Sequence, residues 1–127
     1  MEYSLEGQEI ARICLDFAVA LDTVDGTELR IEARFRVTSP DESRSVDIDP
    51  SDVRNAGEPL VRLLHQRIVL AAVDESGALS LRFAHGERLD CEPDQRFEAW
   101  TLVTPGGERM VCLPGGGVAH WPGGSGQ

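Results

Sequence analysis

The fold is decided by one stretch of the chain, residues 13–37, which read ICLDFAVALDTVDGTELRIEARFRV. Apolar residues occupy every second position over residues 13–21 and again over residues 29–37. Because successive side chains of a β-strand point to opposite faces, this two-residue period predicts two strands that each bury one face. Asp25-Gly26 lies between them and is typical of a tight hairpin turn with positive φ at its central residues. The stretch therefore predicts an antiparallel β-hairpin.

The two faces of this hairpin differ in character. In the first strand, the face predicted to be buried consists of Ile13, Leu15, Phe17, Val19 and Leu21. In the second strand, the face predicted to be exposed consists of Glu28, Arg30, Glu32, Arg34 and Arg36. Acids and arginines that are interspersed in this way form cross-strand pairs without creating a patch of one sign.

The rest of the chain shows the same pattern in shorter segments, separated by glycine and proline turns. Residues 45–49 predict a short edge strand, and a continuous apolar run over residues 68–73 predicts a central strand. One helix is predicted at roughly 58–66, where a proline occupies the first turn. The predicted fold class is α+β and mostly β, with about eight or nine short, largely antiparallel strands and one short helix packed on the sheet.

The size of the chain fits one compact domain. It has 127 residues, and we assign residues 1–121 to this domain and residues 122–127 to a flexible Gly-rich tail. No apolar run approaches the ~20 residues that a membrane-spanning helix needs. The acidic N-terminus lacks the apolar segment of a secretory signal. We therefore expect a soluble protein of the cytoplasm.

The net charge of the chain limits the classes of partner that it would bind. The formal net charge is −10, from 22 acids against 12 arginines and no lysine. This balance argues against binding to nucleic acid or to an anionic membrane, and it would attract a basic protein. The acids predicted to bind such a partner are Asp41, Glu42, Asp47, Asp49, Asp52 and Glu58. The alternative interpretation is that they form a solvated loop that keeps the protein soluble.

Motifs for catalysis or cofactor binding are not found in the sequence. The three cysteines and three histidines never occur as Cys-x-x-Cys or His-x-x-x-His, so no metal site is predicted. A phosphate-binding loop of the Gly-Lys-Ser/Thr type is impossible without lysine. We predict no catalytic residue, no metal and no cofactor, and we expect reduced, buried thiols.

A second group of side chains that could bind a ligand or take part in catalysis lies in the C-terminal strands. The residues that would form a ligand-binding or enzymatic pocket there are Glu98, Trp100, Arg109, Cys112, His120 and Trp121. A third possibility is a structural subunit that self-associates through the edge strand at 45–49. The favoured hypothesis is a non-enzymatic protein-interaction module, such as an inhibitor or immunity-type partner of a basic protein. The sequence does not define the oligomeric state.

The same C-terminal region is similar in sequence to a known family. The strand Glu98-Ala99-Trp100, the segment Val111-Cys112-Leu113-Pro114-Gly115-Gly116 and the final Trp121 resemble a family of small bacterial domains of unknown function. The resemblance implies a compact, mostly β domain in a bacterial cytoplasm. It implies no activity.

Overall fold

In the computed structural model, which describes residues 5–123, the chain forms two antiparallel β-sheets and one short helix. The elements in chain order are β1 (Ile10–Leu15), β2 (Val19–Thr23), β3 (Glu28–Ile31), β4 (Phe35–Thr38), β5 (Ser45–Ile48), α1 (Gly57–Val61), β6 (Ile68–Val73), β7 (Leu79–Phe83), β8 (Arg88–Cys91), β9 (Trp100–Val103), β10 (Arg109–Cys112) and β11 (Val118–Trp121). The six-stranded sheet has the order β1-β2-β3-β9-β10-β11, and the five-stranded sheet has the order β5-β4-β8-β7-β6. The mostly β, antiparallel prediction is confirmed, but eleven strands replace the eight or nine expected.

The predicted hairpin is present as β2 and β3. Leu21 pairs with Leu29, and both side chains are buried. Gly26 has a φ of 94°, which an L side chain rarely adopts, so glycine suits this turn. The carboxylate of Asp25 also accepts the backbone N–H of Thr27 at 3.1 Å, which fixes the turn locally.

Two strands that were predicted to be continuous are broken, which explains the higher strand count. Residues 13–21 fold back on themselves, because β1 and β2 form a hairpin in which Leu15 pairs with Val19. Phe17 lies at the tip of this hairpin and is 82% exposed, so its assignment to the buried face was wrong. Residues 29–37 are divided because the chain passes between the two sheets at 32–34.

The apolar run of β6 forms an edge strand, and not the central strand that was predicted. Only Ile68 is fully buried there, whereas Leu70 is 47% exposed. A run of apolar residues indicates that a segment forms a strand, but it does not show whether that strand has one neighbouring strand or two. The helix is also shorter than predicted: α1 ends at Val61, and turns follow as far as His65, whose φ is 69°. The prediction of an edge strand at 45–49 is confirmed by β5.

The two sheets share one hydrophobic core, and Trp100 joins them. Its indole Nε1–H donates a 2.9 Å hydrogen bond to the carbonyl oxygen of Gly77 in the β6–β7 turn. Gly77 has a φ of 94°, and a Cβ there would lie 2.9 Å from the Sγ of Cys112. We call Gly77, Trp100 and Cys112 the inter-sheet joint.

Two other predictions concern membrane-spanning helices and the C-terminal tail. No helix within residues 5–123 is long and apolar enough to cross a membrane. The predicted tail at 122–127 lies outside the described residues except for its first two positions.

Candidate functional site

The six acids predicted to bind a partner lie on the β4–β5 hairpin, on the segment that leads to α1, and in the first turn of α1. Five of them have an arginine within 4 Å, in the pairs Glu42–Arg88, Asp47–Arg36, Asp49–Arg34, Asp52–Arg54 and Glu58–Arg44. The sixth, Asp41, accepts hydrogen bonds from Ser39 and Ser43. The structure therefore brings these acids into one region but compensates most of their charge locally.

Hydrogen bonds hold two of these acids firmly in the ionised form. The hydroxyl of Ser43 lowers the pKa of Asp41 to about 2, and the guanidinium of Arg54 lowers the pKa of Asp52 to about 2. Exposed ion pairs of this kind contribute about 0–1 kcal/mol each to stability. Both carboxylates are already engaged, which makes them poorer ligands for an incoming cation.

The residues predicted to form a C-terminal pocket are dispersed. Trp100 and Cys112 are buried in the inter-sheet joint, and burial raises the pKa of the Cys112 thiol. His120 pairs with Glu108 at 3.0 Å, at the β10–β11 edge of the six-stranded sheet. Arg109 and Trp121 are register partners at that same edge. None of these five residues lines either of the two cavities described below.

The sixth member of that set, Glu98, lines a surface groove of about 530 Å³. This groove lies at the open end of the β4–β5 hairpin, away from the turn that joins the two strands. We call it the Phe17–Phe97 groove, and it is lined by Phe17, Glu32, Ala33, Arg34, Asp49, Ser51, Asp94, Phe97 and Glu98. It combines Asp49 from the first predicted set with Glu98 from the second.

One wall of the groove is Phe17. The three-residue loop of the β1–β2 hairpin closes with a 2.9 Å hydrogen bond from the N–H of Asp16 to the carbonyl oxygen of Ala18. Phe17, between them, has a φ of 53°, a left-handed conformation that is uncommon outside glycine and asparagine. Its ring is largely exposed, so burial in the core does not offset the cost of this conformation.

The second aromatic residue that lines the groove is Phe97, which is 60% exposed. The carboxylate of Asp94 accepts the backbone N–H of Arg96 at 2.8 Å and that of Phe97 at 3.1 Å. The carbonyl of Asp94 also accepts the N–H of Gly115 at 2.7 Å, which ties the loop to the neighbouring β10–β11 turn. Phe97 is therefore held on an ordered loop in an exposed position.

The groove is acidic as well as aromatic. Four carboxylates line it against the single guanidinium of Arg34, which pairs with Asp49 at 3.5 Å. Glu98 has no hydrogen-bond or ion-pair partner in the part of the chain that the structure describes. Two exposed rings beside excess negative charge can bind a cationic group that carries apolar surface, since cations are attracted to aromatic faces.

The side chains of residues 5–123 that could ligate a metal or act as a thiol nucleophile include three cysteines, two of which are buried. Among residues 5–123, no group of three or more His, Cys, Asp or Glu side chains is arranged to hold a metal ion. Cys91 and Cys112 are buried, and burial raises the pKa of the Cys91 thiol to about 12. A thiol with such a pKa is not a nucleophile near neutrality.

Sequence reasoning missed seven of the nine residues of the groove: Phe17, Glu32, Ala33, Arg34, Ser51, Asp94 and Phe97. Phe17 was counted as a core residue because it continues the two-residue period. Phe97 could have been found, because it lies between a loop around Pro93 and the predicted strand at 98–103.

The architecture defines the class as a two-sheet, antiparallel β protein with an acidic, phenylalanine-walled groove on its surface. The model of DUF6188, a family of unknown function, matches residues 1–122, and the chain belongs to this family. The resemblance inferred from the C-terminal motifs is thereby confirmed. No curated protein and no solved structure matches the chain.

Proposed function

We propose that this protein is a non-enzymatic interaction module that binds a basic segment of a partner protein in the Phe17–Phe97 groove. The observation that carries the proposal is the pair of exposed phenylalanines, Phe17 at 82% and Phe97 at 60%, which line one groove together with four carboxylates. The segment that fits such a groove presents arginine or lysine next to an apolar side chain.

The physical argument starts from the cost of this surface. A large aromatic side chain is favoured inside a protein, and burial of its ring in an interface contributes strongly to affinity. Phe17 remains outside, in a left-handed conformation that no packing of its ring offsets. A partner that covers both rings would recover the hydrophobic free energy, and its guanidinium or ammonium groups would pair with Glu98 and Glu32.

The net charge of −10 supports the same class of partner. A basic protein would be steered toward this surface, so its association rate should fall as salt screens the charges. An inhibitor or immunity-type protein of the bacterial cytoplasm works in this manner, by occupying a basic site on its target. We place the function of this chain in that class.

Selection from a random peptide display library would test the proposal and would define the sequence of the bound segment. We expect the wild-type chain to select peptides rich in arginine or lysine beside aliphatic residues. The double variant Phe17→Ser, Phe97→Ser should lose this enrichment. The matched control is Trp121→Ser, because Trp121 is also an exposed aromatic residue, at 51%, but lies outside the groove.

The control also separates the proposal from a binding site on the C-terminal strands. If Trp121→Ser abolishes selection and the double variant does not, the binding site lies on β11. Selection of neutral or acidic peptides, or no selection by the wild-type chain, would contradict a groove for basic segments.

A further inference from the structure

A second cavity lies at the tip of the β4–β5 hairpin, between the hairpin and the start of α1. Its volume is about 400 Å³, which is within the range of small-molecule sites. We call it the hairpin cavity, and it is lined by Val37, Thr38, Ser39, Pro40, Asp41, Ser43, Arg44, Val46, Glu58, Pro59, Arg62 and Glu87. It shares no residue with the Phe17–Phe97 groove.

Glu87 is the unusual member of this lining, because it is only 5% exposed. One carboxylate oxygen accepts a 2.8 Å hydrogen bond from the Nε2 of Gln66, which is buried too. Gln66 is itself fixed, since it also donates to the carbonyl of Arg62 at 2.6 Å and accepts the N–H of His85 at 2.8 Å. The carboxylate of Glu87 is therefore held rigidly in place.

The second oxygen of this carboxylate has no partner among residues 5–123. It is not enclosed either: within those residues, Asp22 Oδ1 is the one fully buried side-chain oxygen without a hydrogen bond. The free oxygen of Glu87 therefore remains open to the cavity that the residue lines.

Nearby cations do not neutralise Glu87. Arg44 and Arg62 both lie against Glu58, at 3.4 and 3.9 Å, and neither forms an ion pair with Glu87. A largely buried carboxylate without a cationic partner is unfavourable, and such groups are normally paired or bind a cation. Three carboxylates and two guanidiniums leave the lining with a formal charge of −1.

We propose that the hairpin cavity binds a small organic monocation, an alkylammonium group attached to an apolar body. The ammonium would donate to the free oxygen of Glu87, and the apolar body would lie against Val37, Val46 and Pro59. A free amine and a lysine side chain of a partner carry the same group, so the probes must separate the two sources. This site is independent of the one proposed for the basic segment.

Titration calorimetry with hexylammonium chloride tests the proposal directly. We expect saturable binding of hexylammonium and no binding of hexanol, which has the same apolar body without the charge. Glu87→Gln keeps the shape of the side chain and should weaken binding at least tenfold. The matched control, Glu75→Gln, removes an exposed charge from the β6–β7 turn, outside both cavities, and should leave the affinity unchanged.

A second variant covers the case in which Glu87→Gln fails to fold. Val46→Phe fills the apolar wall from the edge strand β5 and should abolish binding while Glu87 is retained. Binding of acetyl-lysine-methylamide as well as hexylammonium would assign the site to lysine side chains as well as free amines, whereas binding of hexylammonium alone assigns it to free amines. Equal binding of hexanol, or unchanged binding in both Glu87→Gln and Val46→Phe, would overturn the proposal.

Discussion

The inter-sheet joint and the Phe17–Phe97 groove are both built around aromatic side chains, but they use them in opposite ways. In the joint, Trp100 is 1% exposed and its one polar atom donates to Gly77. In the groove, Phe17 and Phe97 are exposed, and the charged groups that line it with them are four carboxylates and one arginine. The polar atom of the joint is paired within the chain, whereas the groove has aromatic surface and charge that residues 5–123 leave uncovered.

Residue type alone did not point to the groove. Tryptophan, cysteine and histidine suggested a C-terminal pocket, yet burial and hydrogen bonding make Trp100 and Cys112 structural. The surfaces that remain available for binding are those where an aromatic ring or a carboxylate has no complete set of partners. The predictions below test this distinction.

The largest expected effect is on the joint. Trp100→Ala should lower the free energy of unfolding by about 3–5 kcal/mol, because it empties a fully buried site between the sheets. Trp100→Phe should cost about 1–3 kcal/mol, since it leaves the carbonyl of Gly77 unpaired. Urea unfolding followed by circular dichroism measures both. A loss below about 1 kcal/mol in Trp100→Ala would mean that the joint does not hold the sheets together.

The next effect concerns Gly77. Gly77→Ala should destabilise the fold by about 2–4 kcal/mol, because a left-handed φ and an overlap with the Sγ of Cys112 act together. Gly7→Ala is the matched control, since Gly7 has a similar φ of 91° but no atom within 4 Å of the added Cβ. The difference between the two free energies of unfolding isolates the overlap. Equal values would show that the joint is loosely packed.

A smaller effect on stability, and one of opposite sign, is expected from a substitution in the groove. Phe17→Asn should leave stability unchanged or raise it by up to about 1 kcal/mol, because asparagine tolerates the left-handed conformation better. The same variant should lose affinity for basic peptides. Thermal unfolding and peptide binding would be measured on one preparation. A loss of more than about 1 kcal/mol would mean that Phe17 packs within its own chain, and the comparison would fail.

The smallest effect belongs to the acids of the β4–β5 hairpin. Ser43 lowers the folded-state pKa of Asp41 to about 2, below its ordinary value of 3.8. Its stabilising contribution is therefore present above pH 4 and lost as the pH falls toward 2. Asp41→Asn should slightly lower the melting temperature at pH 7, and the difference from the wild-type chain should vanish near pH 2. A difference that persists at this low pH would point to a cause other than ionisation.

Much of the fold could be predicted from the sequence, because local patterns determine it. The alternation of residues 29–31 and the Asp25-Gly26 turn specify the β2–β3 hairpin, and a polar segment marks the β5 edge. The same alternation concealed the break at Phe17, since periodicity does not show where a strand folds back. The edge position of β6 depends on long-range pairing, which no local pattern records.

The site could be predicted only in fragments. Asp49 and Glu98 were each proposed, but for two different surfaces, because they are far apart in the sequence and adjacent only in the fold. Charge density drew attention to the hairpin acids, but arginines lie close to five of the six and compensate them. Glu87 carries no sequence signal at all, since its hydrogen bond with Gln66 joins residues that are 21 positions apart in the chain.

The most direct test of the central claim is ¹⁹F NMR of the chain labelled with fluorophenylalanine. The four phenylalanines divide evenly, since Phe35 and Phe83 are buried whereas Phe17 and Phe97 are exposed. On titration with an amidated peptide of alternating arginine and leucine, we predict saturable shifts of the Phe17 and Phe97 resonances only. A peptide of alternating glutamate and leucine should move neither. Four unmoved resonances with the basic peptide, or equal shifts with the acidic one, would contradict the account.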